Sequence, residues 1–155
     1  MWLARMQMEV LRFPKNGVKM VAKVLNPYYA EVIQAKLQQQ GIDKIRTHEL
    51  TLTQQFLDGL QQSEAQNLLR IVGKRNCSER IGVVSISTDI AELAFILADR
   101  YAIATRVGLH CAPNAHKTLE TYPTGTLRFS FGWHNTAEEV NIALQALKEV
   151  LAHGL

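Results

Sequence analysis

The chain has 155 residues, of which 47% are hydrophobic and 20% are charged, and its formal net charge is +3. This length and composition fit one globular domain with its own core and leave no room for a second full domain. No apolar run approaches the roughly 20 residues of a membrane span, and the basic residues are spread along the chain, so we expect neither a membrane nor a nucleic acid as partner. The first residues lack a secretory pattern, and we expect a cytoplasmic protein.

The N-terminal part of the chain predicts little. Residues 1–30 have a broken apolar pattern, and we expect a lead-in there followed by one domain over residues 31–155. Ala30 to Gln40 predicts a helix that stops at Gly41. Apolar residues then recur at helical spacing from Ile42 to about residue 62, which predicts a second, amphipathic helix.

The remainder alternates strands with helices. A capping box of Asp89 and Glu92 predicts a helix over residues 89–100, and Thr136 with Glu139 predicts the start of a final helix. A short helix or turn is expected from Cys111 to about residue 119. β-Branched or alternating patterns predict four strands, at residues 67–72, 80–87, 103–106 and 126–132.

This order of elements predicts an α+β fold, a small antiparallel or mixed sheet covered by helices on one face. The other face is then free, and we expect it to be apolar and exposed. Exposed apolar surface favours contact with another protein.

The residues best suited to a chemical role lie around one thiol, that of Cys111. Cys111 lies between Arg106 and His110 on one side and a helix start on the other, and cations and helix starts favour the reactive thiolate. Arg128 lies within an apolar strand, where an unpaired charge is costly, so it calls for an anion. Together these residues indicate an anionic substrate that meets a thiol.

Simpler interpretations exist for the same residues. Cys111 could be a small buried residue that fills a turn, and Arg128 a surface arginine on the polar face of an edge strand. His110 fits packing or hydrogen bonding better than acid–base chemistry. Cys77, in a polar turn, is expected to be exposed and incidental. His110, Cys111 and His116 provide too few ligands for zinc, so we expect no metal.

Several segments occur in the order, and with the gaps, of a known family. They are Gly41 to Leu50, Arg80 to Ser85, Arg106-Val-Gly-Leu-His-Cys111-Ala-Pro, Ala115-His-Lys-Thr118, and Gly125-Thr-Leu-Arg128-Phe-Ser with Asn135 to Val140. Over about three quarters of its length the chain resembles the small C-terminal domain of class V aminotransferases, in the cysteine desulfurase and selenocysteine lyase branch. The resemblance implies a C-terminal domain of a fold-type I pyridoxal phosphate enzyme.

The resemblance also implies roles for three residues. Enzymes of this branch take sulfur or selenium from cysteine or selenocysteine and leave alanine. Cys111 would then receive the sulfur as a persulfide, Arg128 would bind the substrate carboxylate through two parallel hydrogen bonds, and Arg106 would be a secondary anion contact. The family further implies a sulfur-acceptor protein as partner.

The cofactor part of the family has no counterpart in this sequence. The Schiff-base lysine, the aspartate at the pyridine nitrogen and the phosphate loop belong to a large domain that comes earlier in the family, and Lys117 of His116-Lys117 follows the cysteine, where no Schiff-base lysine is expected. We therefore expect that this chain alone does not bind pyridoxal phosphate and that a large domain or a homodimer partner chain provides it. Two alternatives remain: a catalytically inactive truncated remnant, or a small interaction module that uses the exposed sheet face.

Overall fold

The structure, a computed structural model, describes residues 27–77, 79–88 and 92–153. Most of the expected lead-in, up to residue 26, lies outside these residues. None of the described helices is both long and apolar enough to cross a membrane. The helices are α1 (Pro27–Gln40), α2 (Ile42–Ala65), α3 (Leu93–Tyr101), α4 (Pro113–Thr118) and α5 (Ala137–His153). The strands are β1 (Arg70–Val72), β2 (Val83–Ser87), β3 (Arg106–Gly108) and β4 (Thr126–Ser130).

The chain divides into two compact units, residues 1–45 and 46–155. In the described part of the first unit, α1 ends as predicted at Gly41, whose φ is +82°. The amide of Gly41 donates to the carbonyl of Leu37 at 2.9 Å. Glycine adopts this left-handed conformation without the steric cost that a side chain brings, so it closes the helix.

The second unit is built on a four-stranded sheet with the order β1-β2-β4-β3, and every neighbouring pair is antiparallel. Val84 lies opposite Phe129, and Ile86 lies opposite Leu127. Because side chains alternate between the faces of a sheet, these four apolar residues share one face, here called the core face.

Helices α2, α3 and α5 supply the apolar side chains that cover the core face. The ring of Phe56 on α2 lies 4.8 Å from that of Phe129 and 5.2 Å from that of Phe131. Helices α2 and α5 approach closely at Gly59, where an added Cβ would lie 2.3 Å from Leu144. The predicted α+β architecture, a sheet covered by helices on one face, is therefore confirmed.

The opposite face of the sheet, here called the second face, is not the apolar surface that we expected. The alternation places Ser85, Ser130, Arg70, Arg106 and Arg128 on it. Arg70 and Arg106 are exposed, and the other three are half-buried. The expectation rested on surface that the family's large domain would cover, and it was wrong because Val72 and Val83 share this face with a larger number of serines and arginines.

The final helix begins as predicted. The hydroxyl of Thr136 accepts from the amide of Glu139 at 3.2 Å, and the carboxylate of Glu139 accepts from the amide of Thr136 at 3.0 Å. This reciprocal pair is the capping box expected from the sequence. The predicted start of α3 differs: α3 begins at Leu93, and its N-cap Glu92 makes no side-chain capping bond. Asp89, the other half of the predicted box, lies outside the described residues, so the box itself stays a prediction.

The third strand lies later in the chain than predicted. Strand β3 starts at Arg106, whereas the apolar pattern predicted a strand over 103–106. The amide of Ile103 donates to the carbonyl of Leu97 at 2.9 Å and so closes α3. The left-handed φ of +54° at Ala102 makes this closure possible, and it leaves the Ile103 amide unavailable to a strand ladder.

Candidate functional site

The candidate site lies where β3 and β4 are connected. These strands are antiparallel neighbours that a short hairpin could join, yet residues 109–125 intervene. We call this segment the cysteine excursion, since it carries Cys111 near its start and contains α4. Connections much longer than a turn requires are frequently functional.

Cys111 is presented by an unusual backbone turn. His110 and Cys111 have φ angles of +51° and +61°, so two consecutive residues with side chains are left-handed. Each such residue costs of order 1–3 kcal/mol, and such strain persists only where the surroundings impose it. The thiol of Cys111 is exposed. The simpler interpretation of Cys111 as a buried filler is therefore wrong.

The two predicted anion contacts lie side by side. Arg106 on β3 is directly opposite Arg128 on β4, so both side chains start from the second face. Because β4 lies between β2 and β3, Arg128 is on an inner strand, and the edge-strand interpretation is wrong. Like charges directly opposite each other destabilise a sheet, and an anion held between them removes that cost.

His110 contributes its ring to the same site. Its Nε2 lies 3.1 Å from both the carbonyl oxygen and the hydroxyl of Thr126. Because a carbonyl can only accept, Nε2 carries the proton and Nδ1 is an acceptor. Nδ1 is buried and has no hydrogen-bond partner among the described residues. Burial lowers the pKa of His110, and the charges of Arg128 and Arg106 lower it further.

Three sets of contacts hold the cysteine excursion. At its base, Gly125 packs so closely that an added Cβ would lie 2.3 Å from the backbone of Gly108. In its middle, Nδ1 of the buried His116 lies 2.7 Å from the hydroxyl of the buried Thr121. At its far end, Nη2 of Arg70 on β1 donates to the carbonyls of residues 119 and 120, at 3.0 and 3.5 Å.

Sequence reasoning missed these supporting residues. The contacts of Arg70 are to backbone carbonyls, which leave no trace in the side-chain pattern. His116 was considered only as an insufficient zinc ligand and as the neighbour of Lys117, although its spacing of five residues from Thr121 could have suggested a local pair.

The second thiol differs from the first. Cys77 is half-buried and packs against the core, and its Sγ lies 3.5 Å from the carbonyl of Leu50, to which it can donate. Burial raises its pKa, a nearby Arg80 opposes this effect, and Asp58 adds to it. The expectation of an exposed thiol at this position was wrong.

The described residues do not fit pyridoxal phosphate. A Schiff-base lysine is held within the cofactor pocket, but every described lysine is exposed. The Nζ of Lys117 lies 5.4 Å from the ring centroid of Tyr122, at the surface of the excursion. The same residues contain no group of three His, Cys, Asp or Glu side chains that could hold a metal ion.

Comparison with known proteins identifies the family. Residues 18–142 match the family described as Aminotransferase class-V. The chain is 35% identical over 118 residues to a probable cysteine desulfurase of Aeropyrum pernix, covering 74% of this chain and 28% of the relative. It is 35% identical over 114 residues to a probable cysteine desulfurase of Pyrococcus abyssi, covering 72% of this chain and 27% of the relative.

Solved structures agree with this assignment. The apo structure of a cysteine desulfurase from Thermococcus onnurineus NA1 matches with a TM-score of 0.71 and 32% identity, over 81% of this chain and 30% of the other. The cysteine desulfurase CsdA from Escherichia coli matches with a TM-score of 0.66 and 24% identity, over 79% and 29%, and this match supports the fold alone. The chain spans about 28% of the length of the first relative. It belongs to the class V aminotransferase family, whose members depend on pyridoxal phosphate.

Proposed function

We propose that this chain is the sulfur-accepting domain of a cysteine desulfurase, with Cys111 as the acceptor. The observation that carries the proposal is the exposed thiol of Cys111 on the segment that joins the two strands of the paired cations Arg106 and Arg128. A substrate with a carboxylate and a sulfur atom would satisfy both features. The named relatives support this choice among the reactions of the family.

Arg128 is the proposed substrate clamp. Its half-buried guanidinium can bind the carboxylate of L-cysteine through two parallel hydrogen bonds, which also orient the substrate. Arg106, exposed on the neighbouring strand, adds positive charge without comparable burial. We assign it the secondary anion contact.

Cys111 carries out the sulfur transfer. Its thiolate sulfur forms a bond to the sulfur of the substrate, and the carbon–sulfur bond of the substrate breaks. The electron pair of that bond stays with the carbon skeleton, which takes up a proton and leaves as alanine, while a persulfide remains on Cys111. Its exposure lets a sulfur-acceptor protein reach the persulfide.

Activation of the substrate carbon requires groups beyond the described residues. Pyridoxal phosphate supplies electron withdrawal when it is bound in enzymes of this family. We propose that another domain or a partner subunit holds the cofactor and that this chain alone does not. Cytoplasm, which keeps thiols reduced, is the proposed compartment.

Ligand binding tests the carboxylate site without the cofactor. Backbone amide shifts of the chain would be followed by NMR during titration with L-cysteine, and separately with L-cysteine methyl ester, which lacks the carboxylate. We expect L-cysteine to shift resonances around residues 106 and 128, and the ester to leave them unchanged. Arg128→Gln should remove the response, and equal shifts with acid and ester would contradict the carboxylate clamp.

Sulfur transfer tests the thiol. The chain would be incubated with L-cysteine, pyridoxal phosphate and the full-length Thermococcus onnurineus relative as a source of the cofactor-bearing domain, and each cysteine would be analysed by mass spectrometry. We expect one added sulfur on Cys111, much less on Cys77, and less on Cys111 in Arg128→Gln. Labelling of Cys111 that is independent of Arg128 would show unspecific transfer and contradict the proposal.

Borohydride reduction tests the assignment of the cofactor to another domain. We expect no stoichiometric pyridoxyl adduct after the chain alone is mixed with pyridoxal phosphate and reduced. Peptide mass analysis would locate any adduct. A single specific adduct on Lys117 or Lys74 would overturn this assignment.

A further inference from the structure

The cysteine excursion reaches farther than its anchor strands require. It leaves from β3 and returns to β4, which lie next to each other at one side of the sheet. Its far end nevertheless contacts β1, which is separated from β4 by β2. The excursion therefore comes within reach of a side chain that starts from the opposite edge of the sheet.

One side chain makes the contact at the opposite edge. Arg70 projects from the second face of β1, because its neighbour Ile71 points into the core. Its Nη2 donates to the carbonyl of Leu119 at 3.0 Å and to that of Glu120 at 3.5 Å. Within the described part of the chain, no carboxylate lies at ion-pair distance from Arg70. The backbone of the excursion is therefore its observed partner.

The middle of the excursion can transmit this restraint to the thiol. Helix α4 starts two residues after Cys111 and ends next to the carbonyls that Arg70 binds. The buried pair of His116 and Thr121 joins the helix to the segment that follows it. A buried hydrogen bond of this kind is costly to break, so the helix and its exit move together.

We propose that Arg70 is a positioning residue, which fixes the far end of the cysteine excursion and thereby places Cys111 beside Arg106 and Arg128. The inference rests on the proposed function of Cys111 and Arg128. An arginine suits this task, since its rigid guanidinium presents several donors in fixed directions and stays charged. Arg70 does not touch the substrate in this proposal.

Two cysteine reagents can report the position of the thiol. Iodoacetate carries a carboxylate, whereas iodoacetamide is neutral and of similar size. Their relative rates at Cys111 measure how close the thiol lies to the paired arginines, while the rates at Cys77 provide an internal reference. The full chain would be labelled as wild type, Arg70→Gln, Arg70→Lys and Arg100→Gln. The last variant removes an exposed arginine of α3 as a control for net charge.

We expect Arg70→Gln to lower the iodoacetate preference of Cys111 about tenfold, close to the lower limit expected for the loss of one hydrogen bond from a charged donor. Arg70→Lys should recover part of the preference, and Arg100→Gln should retain it. Amide exchange of residues 112–122 should accelerate in Arg70→Gln alone, with an unchanged denaturation midpoint. Since loss of charge by itself does not open amides, faster exchange separates positioning from simple electrostatics.

The outcomes distinguish the two proposals. If Arg70→Gln leaves both amide exchange and the reagent preference at wild-type values, Arg70 has no positioning role. If only the reagent preference falls, the effect is electrostatic and the inference is overturned. If the wild type shows no carboxylate-dependent binding of L-cysteine, the proposed function fails, while the exchange and labelling data still decide whether Arg70 positions the excursion.

Discussion

The two faces of the sheet are built from the same strands but differ in burial and in polarity. On the core face, Val84, Ile86, Leu127 and Phe129 are buried under helices. On the second face, the same strands carry Arg128 and half-buried serines, and the neighbouring β3 carries the exposed Arg106. Alternating residues of one strand therefore separate a buried apolar face from a polar and charged one, and substitutions should have distinct consequences on each face.

The largest effect on stability should come from the core face. Phe56→Ala removes a fully buried ring that contacts both Phe129 and Phe131, and we expect a loss of about 3–5 kcal/mol. Urea denaturation followed by circular dichroism would measure it. Phe95→Ala is the matched control, because that phenylalanine is 71% exposed and its loss should cost less than about 0.5 kcal/mol. Similar losses for the two variants would contradict the assignment of the core.

The alkylation rates of the two thiols, Cys111 on the excursion and Cys77 against the core, extend this comparison to reactivity. We expect iodoacetamide to label Cys111 at least about tenfold faster than Cys77 near neutral pH, equivalent to about 1.4 kcal/mol, because Cys111 is exposed and Cys77 is half-buried. Mass spectrometry after competitive labelling would give both rates.

The dependence on pH adds a second check on the thiols. Burial raises the pKa of Cys77, so its thiolate forms only at higher pH than that of an ordinary thiol. Labelling of Cys77 should consequently continue to rise above the pH at which an exposed cysteine levels off. Equal rates with identical pH profiles would show that burial does not distinguish the two sites.

A substitution at the start of α5 should have a smaller effect on stability than one in the core. Thr136→Ala removes the hydroxyl that accepts from the amide of Glu139, and we expect a loss of about 1 kcal/mol. Thr51→Ala provides a control, since the Thr51 hydroxyl only bonds back to the carbonyl of Thr47 on an exposed part of α2. That variant should be neutral or slightly stabilising. A thermal melt that ranks the two variants in the opposite order would contradict the capping box.

The variant with the smallest expected change in stability should show the largest change in the reagent preference of Cys111. Arg128→Gln relieves the repulsion from Arg106 on the neighbouring strand, so we expect stability to change by less than about 1 kcal/mol. The preference of Cys111 for iodoacetate over iodoacetamide should nevertheless fall sharply. A variant that unfolds, or that keeps its reagent preference, would show that Arg128 acts as a structural residue.

The sequence predicted the helices well because their signals are local. Apolar spacing located α2, and the Thr136–Glu139 box located the start of α5, where both capping bonds are observed. The motif around Cys111 gave the family, which the comparisons confirm. The roles of Cys111, Arg128 and Arg106 remain predictions.

Features that depend on nonlocal contacts or on backbone groups were not predicted from the sequence. The position of β3 depends on which acceptor binds the amide of Ile103, and the same apolar residues fit either a strand or a helix end. The contact between Arg70 and the excursion joins segments about fifty residues apart through carbonyls that every residue has. The alternation of Leu127 and Phe129 with Arg128 and Ser130 predicted two distinct faces for β4, yet we still expected the free face of the whole sheet to be apolar.

The strand order also has a consequence for assembly. Strand β3 pairs with β4 alone among the described strands, although β4 follows it in the sequence. During translation, β1 and β2 can therefore pair early, whereas β3 has no strand to pair with until β4 has been synthesised. Arg106 can meet Arg128 only at that point, so the sheet pairing next to Cys111 is completed after the first hairpin is already available.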